Sequence, residues 1–120
     1  MESAAQASEV VLDRRHLSRM TLGNHSLEQE VLGLFDRQAE LLLLRMRKGG
    51  SLGDASAVSA LAHALKGSAS GIGAAEVARA AELTERAANG SAAECSAAID
   101  RLAEAVEKAR ALIAELLRQG

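Results

Sequence analysis

Ser91 to Leu116 reads SAAECSAAIDRLAEAVEKARALIAEL, and in it Cys95, Ile99, Leu102, Val106, Ala109, Ile113 and Leu116 recur at alternating steps of four and three. That spacing keeps one apolar stripe on one side of an α-helix for about six turns. Ser91 with Glu94 forms a capping box at its start. Such a helix cannot bury its stripe alone, so the rest of the chain must supply further helices. Ser26 with Gln29 predicts a second long helix, with Leu27, Val31, Leu34, Phe35, Leu41 and Leu42 on its inner side and Gly49-Gly50 as its stop. Asp54 or Ser56 can cap a third, ending near Gly71 or Gly73. A fourth opens at Gly73-Ala74-Ala75-Glu76 and ends at Asn89-Gly90. A short helix over Asp13 to Met20, presenting Leu12, Leu17 and Met20, precedes the turn Thr21-Leu22-Gly23-Asn24. The prediction is an all-α chain: an antiparallel four-helix bundle with a short additional N-terminal helix covering one end. Residues 1–8 read as a flexible tail and 9–120 as a single domain.

Composition agrees. The chain has 120 residues, 48% hydrophobic and 25% charged, with no proline and Phe35 as its one aromatic residue. Abundant Ala, Leu, Glu and Arg favour helix, and alanines in the core allow close helix approach. A net charge of −2 with no basic block gives no support for nucleic-acid binding. The longest leucine run, Leu41 to Leu44, is far short of a membrane span. The first residues lack the basic and apolar regions of a secretory signal. A single cysteine, Cys95, fits a reducing compartment, and a cytoplasmic protein is expected. The four consecutive leucines cannot all face one core. Cover by Leu12, Leu17 or Met20 is expected; a leucine left exposed would belong to an apolar docking patch.

The chemistry concentrates in Leu61-Ala62-His63-Ala64-Leu65-Lys66-Gly67-Ser68-Ala69-Ser70-Gly71-Ile72-Gly73. At 100° per residue, Leu61, Leu65 and Ile72 share one direction and His63 points almost directly away from it. Val58, Ala62, Ser68 and Ala69 widen the buried side. Ser59, Ala60, Lys66, Gly67 and Ser70 surround His63 on the wet side, a small, polar and basic strip suited to docking a partner that carries a phosphoryl group. Gly67 costs the helix about 1 kcal/mol relative to alanine, and nothing on the apolar stripe explains it. It sits one turn beyond His63 on the same face, where a missing side chain leaves room for another protein's backbone. Neutral imidazole is a nucleophile, and an exposed histidine is largely neutral near neutral pH. Lys66 can present an ammonium to phosphoryl oxygens. Phosphoryl transfer asks mainly for in-line positioning and charge neutralisation. The chain shows no second candidate base, no phosphate-cradling glycine loop and no acidic metal cluster. His16 and His25 match no metal-ligand spacing with His63 and read as surface residues. Cys95 lies on the apolar seam as a buried thiol.

His63-Ala64-Leu65-Lys66-Gly67-Ser68-Ala69, followed by Ile72-Gly73-Ala74, resembles the signature of the histidine-containing phosphotransfer (HPt) family. Leu22-Gly23-Asn24, Leu27, Glu30-Val31 and Leu34-Phe35 are similar to the family's region before and within its second helix, so the resemblance covers residues 12–118. Thr84 departs from it, since the family has a glutamate after the leucine matched by Leu83. The resemblance implies a phosphorelay intermediate that accepts a phosphoryl group from a receiver aspartyl phosphate and passes it to another receiver aspartate. His63 would be the phosphoacceptor, Lys66 its cationic neighbour and Gly67 the clearance position, with Ser59, Ala60 and Ser70 on the docking surface. It implies no cofactor on this chain, with Mg2+ on the partner receiver. The partners implied are response-regulator receiver domains, including that of a hybrid histidine kinase, and a monomer is expected. A bundle that docks receivers without transferring phosphate is the alternative. A histidine kinase dimerisation domain fits less well: those resemble a hairpin with a glutamate after the histidine and a proline further on, where this chain has Ala64 and no proline.

Overall fold

Asp13, Asn24, Asp54 and Ser91 each turn a side-chain oxygen onto backbone N–H groups that open a helix, meeting donors that have no partner inside the helix itself. A computed structural model describes residues 11–120, and the expected tail over residues 1–8 lies outside the described residues. The helices are α1 (Arg14–Met20), α2 (His25–Ser51), α3 (Ala55–Ile72), α4 (Ala75–Ala87) and α5 (Ala92–Gln119). No strand occurs among the described residues. α2 packs on α3, α3 on α4, α4 on α5, and α5 closes the ring against α2, while α1 lies on α3. The result is the antiparallel four-helix bundle with a short N-terminal helix.

Several boundaries differ from the sequence expectations. Asn24, not Ser26, caps α2: its Oδ1 accepts from the Leu27 amide at 3.0 Å. The helix also runs through Gly49-Gly50 to Ser51. The glycine pair allows close packing there, since a methyl on Gly49 would meet Val58 Cγ2 at 3.3 Å and one on Gly50 would meet Ile99 Cδ1 at 3.4 Å. Asp54 is the α3 cap, accepting from the Ala57 amide at 3.0 Å. The capping box on α5 forms as read, with the Glu94 amide donating to Ser91 Oγ at 3.1 Å.

The buried stripe of α2 is Leu32, Phe35, Ala39, Leu42, Met46 and Gly49. Leu27, Leu34 and Leu41, expected inside, are exposed, and so is Leu44. Met20 is exposed as well, so the expected cover of the leucine run by α1 does not form over Leu41 and Leu44. Leu12 and Leu17 are buried as read. On α5 the seam is buried from Cys95 to Ile113, with Leu116 packed at its margin. Alanines fill much of the centre, with Ala39, Ala62, Ala69, Ala81 and Ala109 wholly buried. Each fully buried leucine or isoleucine stabilises the fold by about 1.5–3 kcal/mol. The seam between α2 and α5 also carries ion pairs. Arg110 Nε donates to Asp36 Oδ1 at 2.7 Å and its Nη2 to Glu40 Oε2 at 3.2 Å. The Asp36 carboxylate beside it raises the guanidinium further above its already high pKa.

Candidate phosphoacceptor site

α3 carries the site because its two faces are so unlike. Val58, Ala62, Leu65, Ala69 and Ile72 are buried, which forces His63, Ala60, Gly67 and Ser70 to the surface. Gly73 ends the helix in a left-handed conformation, φ +82°. Only glycine fits there: a Cβ would lie 2.8 Å from the Asp13 carbonyl oxygen. The Asp13 amide donates to Gly73 O at 2.8 Å, and His16 Nε2 lies 3.2 Å from Gly71 O. α1 thus holds the C-terminal end of α3 in place, and His16, expected to be a surface residue, is half-buried in doing so.

The His63 side chain is 70% exposed, and its Nδ1 lies 3.1 Å from Glu85 Oε2 on α4. An ionised carboxylate only accepts, so Nδ1 carries the proton and donates. In the neutral ring Nε2 then holds the free lone pair, on the edge turned away from α4. Glu85 is the residue that sequence reasoning missed, and it corrects the expectation that no second acid–base group accompanies His63. The register on α4 explains the miss. Leu83, matched above to the family's leucine, is 43% exposed, while Thr84 is wholly buried. Thr84 Oγ1 donates to Ala80 O at 2.8 Å, with Ala98 O on α5 at 3.2 Å. The residue that follows the buried Thr84 is Glu85, which the turn of α4 brings to the His63 ring.

The structure separates the other candidates into two grooves between α3 and α4. Ser59 and Ala60 line one with His63, Ser56, Glu85 and Asn89. Lys66 and Ser70 line the second, with His16, Arg79 and Glu82. Lys66 Nζ lies 3.8 Å from Glu82 Oε1, so its ammonium is drawn towards α4, and Ser70 is not in the His63 groove. Gly67 is exposed, and a Cβ added to it would meet nothing within 4 Å. Nothing in this chain therefore requires a glycine at that position. Ser68, expected on the buried flank, is half-buried and donates to Gln38 Oε1 on α2 at 2.9 Å. Cys95 is buried on its seam. Among the described residues no group of three or more His, Cys, Asp or Glu side chains is placed to hold a metal ion, and no helix is long and apolar enough to cross a membrane.

His63 thus stands exposed on α3, the second of the four long helices. The Hpt domain model matches residues 30–112, a span that includes His63 and reaches into all four long helices. The chain belongs to the Hpt domain family. It is a phosphotransfer protein of a phosphorelay, and its partners are response-regulator receiver domains. The fold is similar to the crystal structure of histidine-containing phosphotransfer protein B from Pseudomonas aeruginosa PAO1, with a TM-score of 0.85 and 24% identity over 92% of this chain and 96% of that one. No curated protein sequence matches.

Proposed function

We propose that His63 is the phosphoacceptor of this Hpt protein, with Nε2 as the attacking atom. The observation that carries this reading is the ring's unequal surroundings: Nδ1 faces Glu85 at 3.1 Å, while the far edge lies open at the surface. In the forward step the Nε2 lone pair attacks the phosphorus of a receiver aspartyl phosphate. The phosphorus–oxygen bond to the aspartate breaks, and the aspartate leaves as carboxylate. The positive charge that develops on the ring is shared with Glu85 through Nδ1–H, as carboxylates do for imidazolium elsewhere. Onward transfer reverses these events on a second receiver, with the ring leaving as neutral imidazole. Lys66 supplies a cation to the phosphoryl oxygens once its side chain swings from Glu82. Gly67 leaves room above the ring, and Ser59, Ala60 and Ser70 belong to the docking surface.

In this reading the chain needs no cofactor of its own and the Mg2+ ion belongs to the receiver. The donor is the receiver domain of a hybrid histidine kinase, and the protein works as a cytoplasmic monomer. The test is incubation with a phosphorylated receiver domain, comparing the unaltered protein with His63→Gln. An acid-labile, alkali-stable label on the unaltered protein alone is the expected result. A labelled His63→Gln protein would move the acceptor elsewhere. Receiver binding with no label at all would make the protein a docking adaptor.

A further inference from the structure

Two polar rungs tie α3 to antiparallel α4 at the site. His63 faces Glu85, and one turn further along α3 Lys66 faces Glu82. The register is consistent, since three residues forward on α3 match three residues back on α4. Glu82 thus stands to the cation of the site as Glu85 stands to the imidazole. The two rungs differ in kind. His63 and Glu85 are hydrogen-bonded at 3.1 Å. Lys66 Nζ lies 3.8 Å from Glu82 Oε1, a charge contact too long for a hydrogen bond.

The same carboxylate oxygen has a nearer partner. Arg86 Nη2 donates to Glu82 Oε1 at 3.2 Å, one turn along α4. With the acid four residues before the base, this is the favourable order within a helix, and the pair needs nothing from α3. Arg79 is exposed one turn before Glu82 and lines the same groove. Departure of Lys66 therefore leaves the Glu82 carboxylate paired. It also costs little, because an ion pair this accessible changes an equilibrium by up to about fivefold.

Lys66 rests away from the place where a phosphoryl group would need it. It lies about 60° around α3 from His63, half-buried in the groove with His16, Arg79 and Glu82. Since Nδ1 is turned to α4, a phosphoryl group on Nε2 would stand on the opposite edge of the ring. A lysine can change partners, because its stem is flexible and its ammonium is a point charge without fixed geometry. A phosphoryl group carrying roughly two negative charges is a stronger competitor than one carboxylate already shared with Arg86.

We infer that Glu82 is a positioning residue acting through Lys66: it draws the ammonium aside while His63 is free and yields it to the phosphoryl oxygens when His63 is phosphorylated, as Arg86 retains the carboxylate. Glu82 thereby limits how far the site favours phosphohistidine and keeps the group transferable onward. This rests on His63 being the acceptor and Lys66 its cation.

The experiment measures how label from a phosphorylated receiver domain divides at equilibrium between that receiver and the full chain. It compares the unaltered protein with Glu82→Gln, Lys66→Ala and the double variant. Glutamine keeps an oxygen for Arg86 and removes the charge, and the Glu82 side chain is 42% exposed, so the core is untouched. Glu82→Gln should raise the ratio of phosphohistidine to aspartyl phosphate by about twofold to fivefold at low salt, with less effect at high salt. Lys66→Ala should lower the ratio, and adding Glu82→Gln to it should then change nothing, because the effect runs through the ammonium. An unchanged or lowered ratio in Glu82→Gln overturns the inference, as would a purely structural role that moves only the thermal midpoint. So does an equal rise with and without Lys66, which would make Glu82 a plain repelling charge. No effect of Lys66→Ala would overturn the Lys66 assignment and this inference with it. Failure of potassium phosphoramidate, a small donor that needs no docking, to label His63 in the unaltered protein would instead refute the acceptor assignment on which both stand.

Discussion

Replacing Gly67 should make the protein more stable and less active. Gly67 is an exposed residue within α3, where glycine costs about 1 kcal/mol relative to alanine. A Cβ there meets nothing within 4 Å, so no clash offsets the gain. Gly67→Ala should stabilise the fold by about 1 kcal/mol, raising the thermal midpoint by roughly 4 °C for a domain of this size. Gly67 stands one turn from His63, about 6 Å along the helix axis and 40° around it, which puts any side chain under a docked receiver. A displacement of about 1 Å in the reacting groups costs on the order of 100-fold in rate. Gly67→Leu should therefore slow receiver-dependent transfer by about that factor while melting no lower than the unaltered protein. The assays are thermal unfolding by circular dichroism and rapid-quench transfer from a phosphorylated receiver, with phosphoramidate labelling as the control for the intact imidazole. Destabilisation by Gly67→Ala would mean that the glycine serves the fold. Normal transfer by Gly67→Leu would remove the clearance argument.

Lys66→Ala should slow transfer, or shorten the phosphohistidine lifetime, by about fivefold, since an ion pair this accessible is worth up to about 1 kcal/mol; no change in either quantity would leave Lys66 as the partner of Glu82 alone. At the other end of the site, the His16 backbone N–H, followed by that of Arg15 and the nearby Arg19 charge, holds the Asp13 carboxyl below the usual carboxylate range. Because the folded-state value is the lower one, the cap's contribution is complete above the ordinary carboxylate pKa and is lost as pH falls below about 4. Asp13→Asn keeps an accepting oxygen without titrating, so its thermal midpoint should fall less on acidification than that of the unaltered protein; equal falls would refute the assignment.

The helices were legible where a single stripe of large residues ran against polar surroundings, as from Cys95 to Ile113. α2 was harder because its strongest pattern, Leu27, Leu34 and Leu41 at steps of seven, lies outside. The buried stripe there includes Ala39 and Gly49, whose small side chains weigh little in any hydropathy pattern, yet their size is what lets α3 approach. Apolar residues are not confined to interiors. Without the packing of α3, nothing local distinguishes a leucine for the core from one for a partner.

His63, Lys66 and Gly67 were legible for a different reason: Gly67 breaks a rule of a well-formed helix, which is what functional positions do, and it does so beside an imidazole and a lysine on the same wet face. Glu85 broke none, because a glutamate on a polar helix face is unremarkable until the neighbouring helix is in place. A usable signal did exist on α4. Val77, Ala81, Thr84 and Ala88 step by four, three and four, and all are buried. That stripe, rather than Leu83, fixes which way α4 faces and so turns Glu85 towards α3. The carboxylate is then a consequence of burying Thr84, whose hydroxyl is satisfied by Ala80 and Ala98 carbonyls. A substitution that rotated α4 would remove the acid from the imidazole without touching either residue. The chemistry of His63 is therefore held by the packing of α3, α4 and α5 together, although its motif lies on α3 alone.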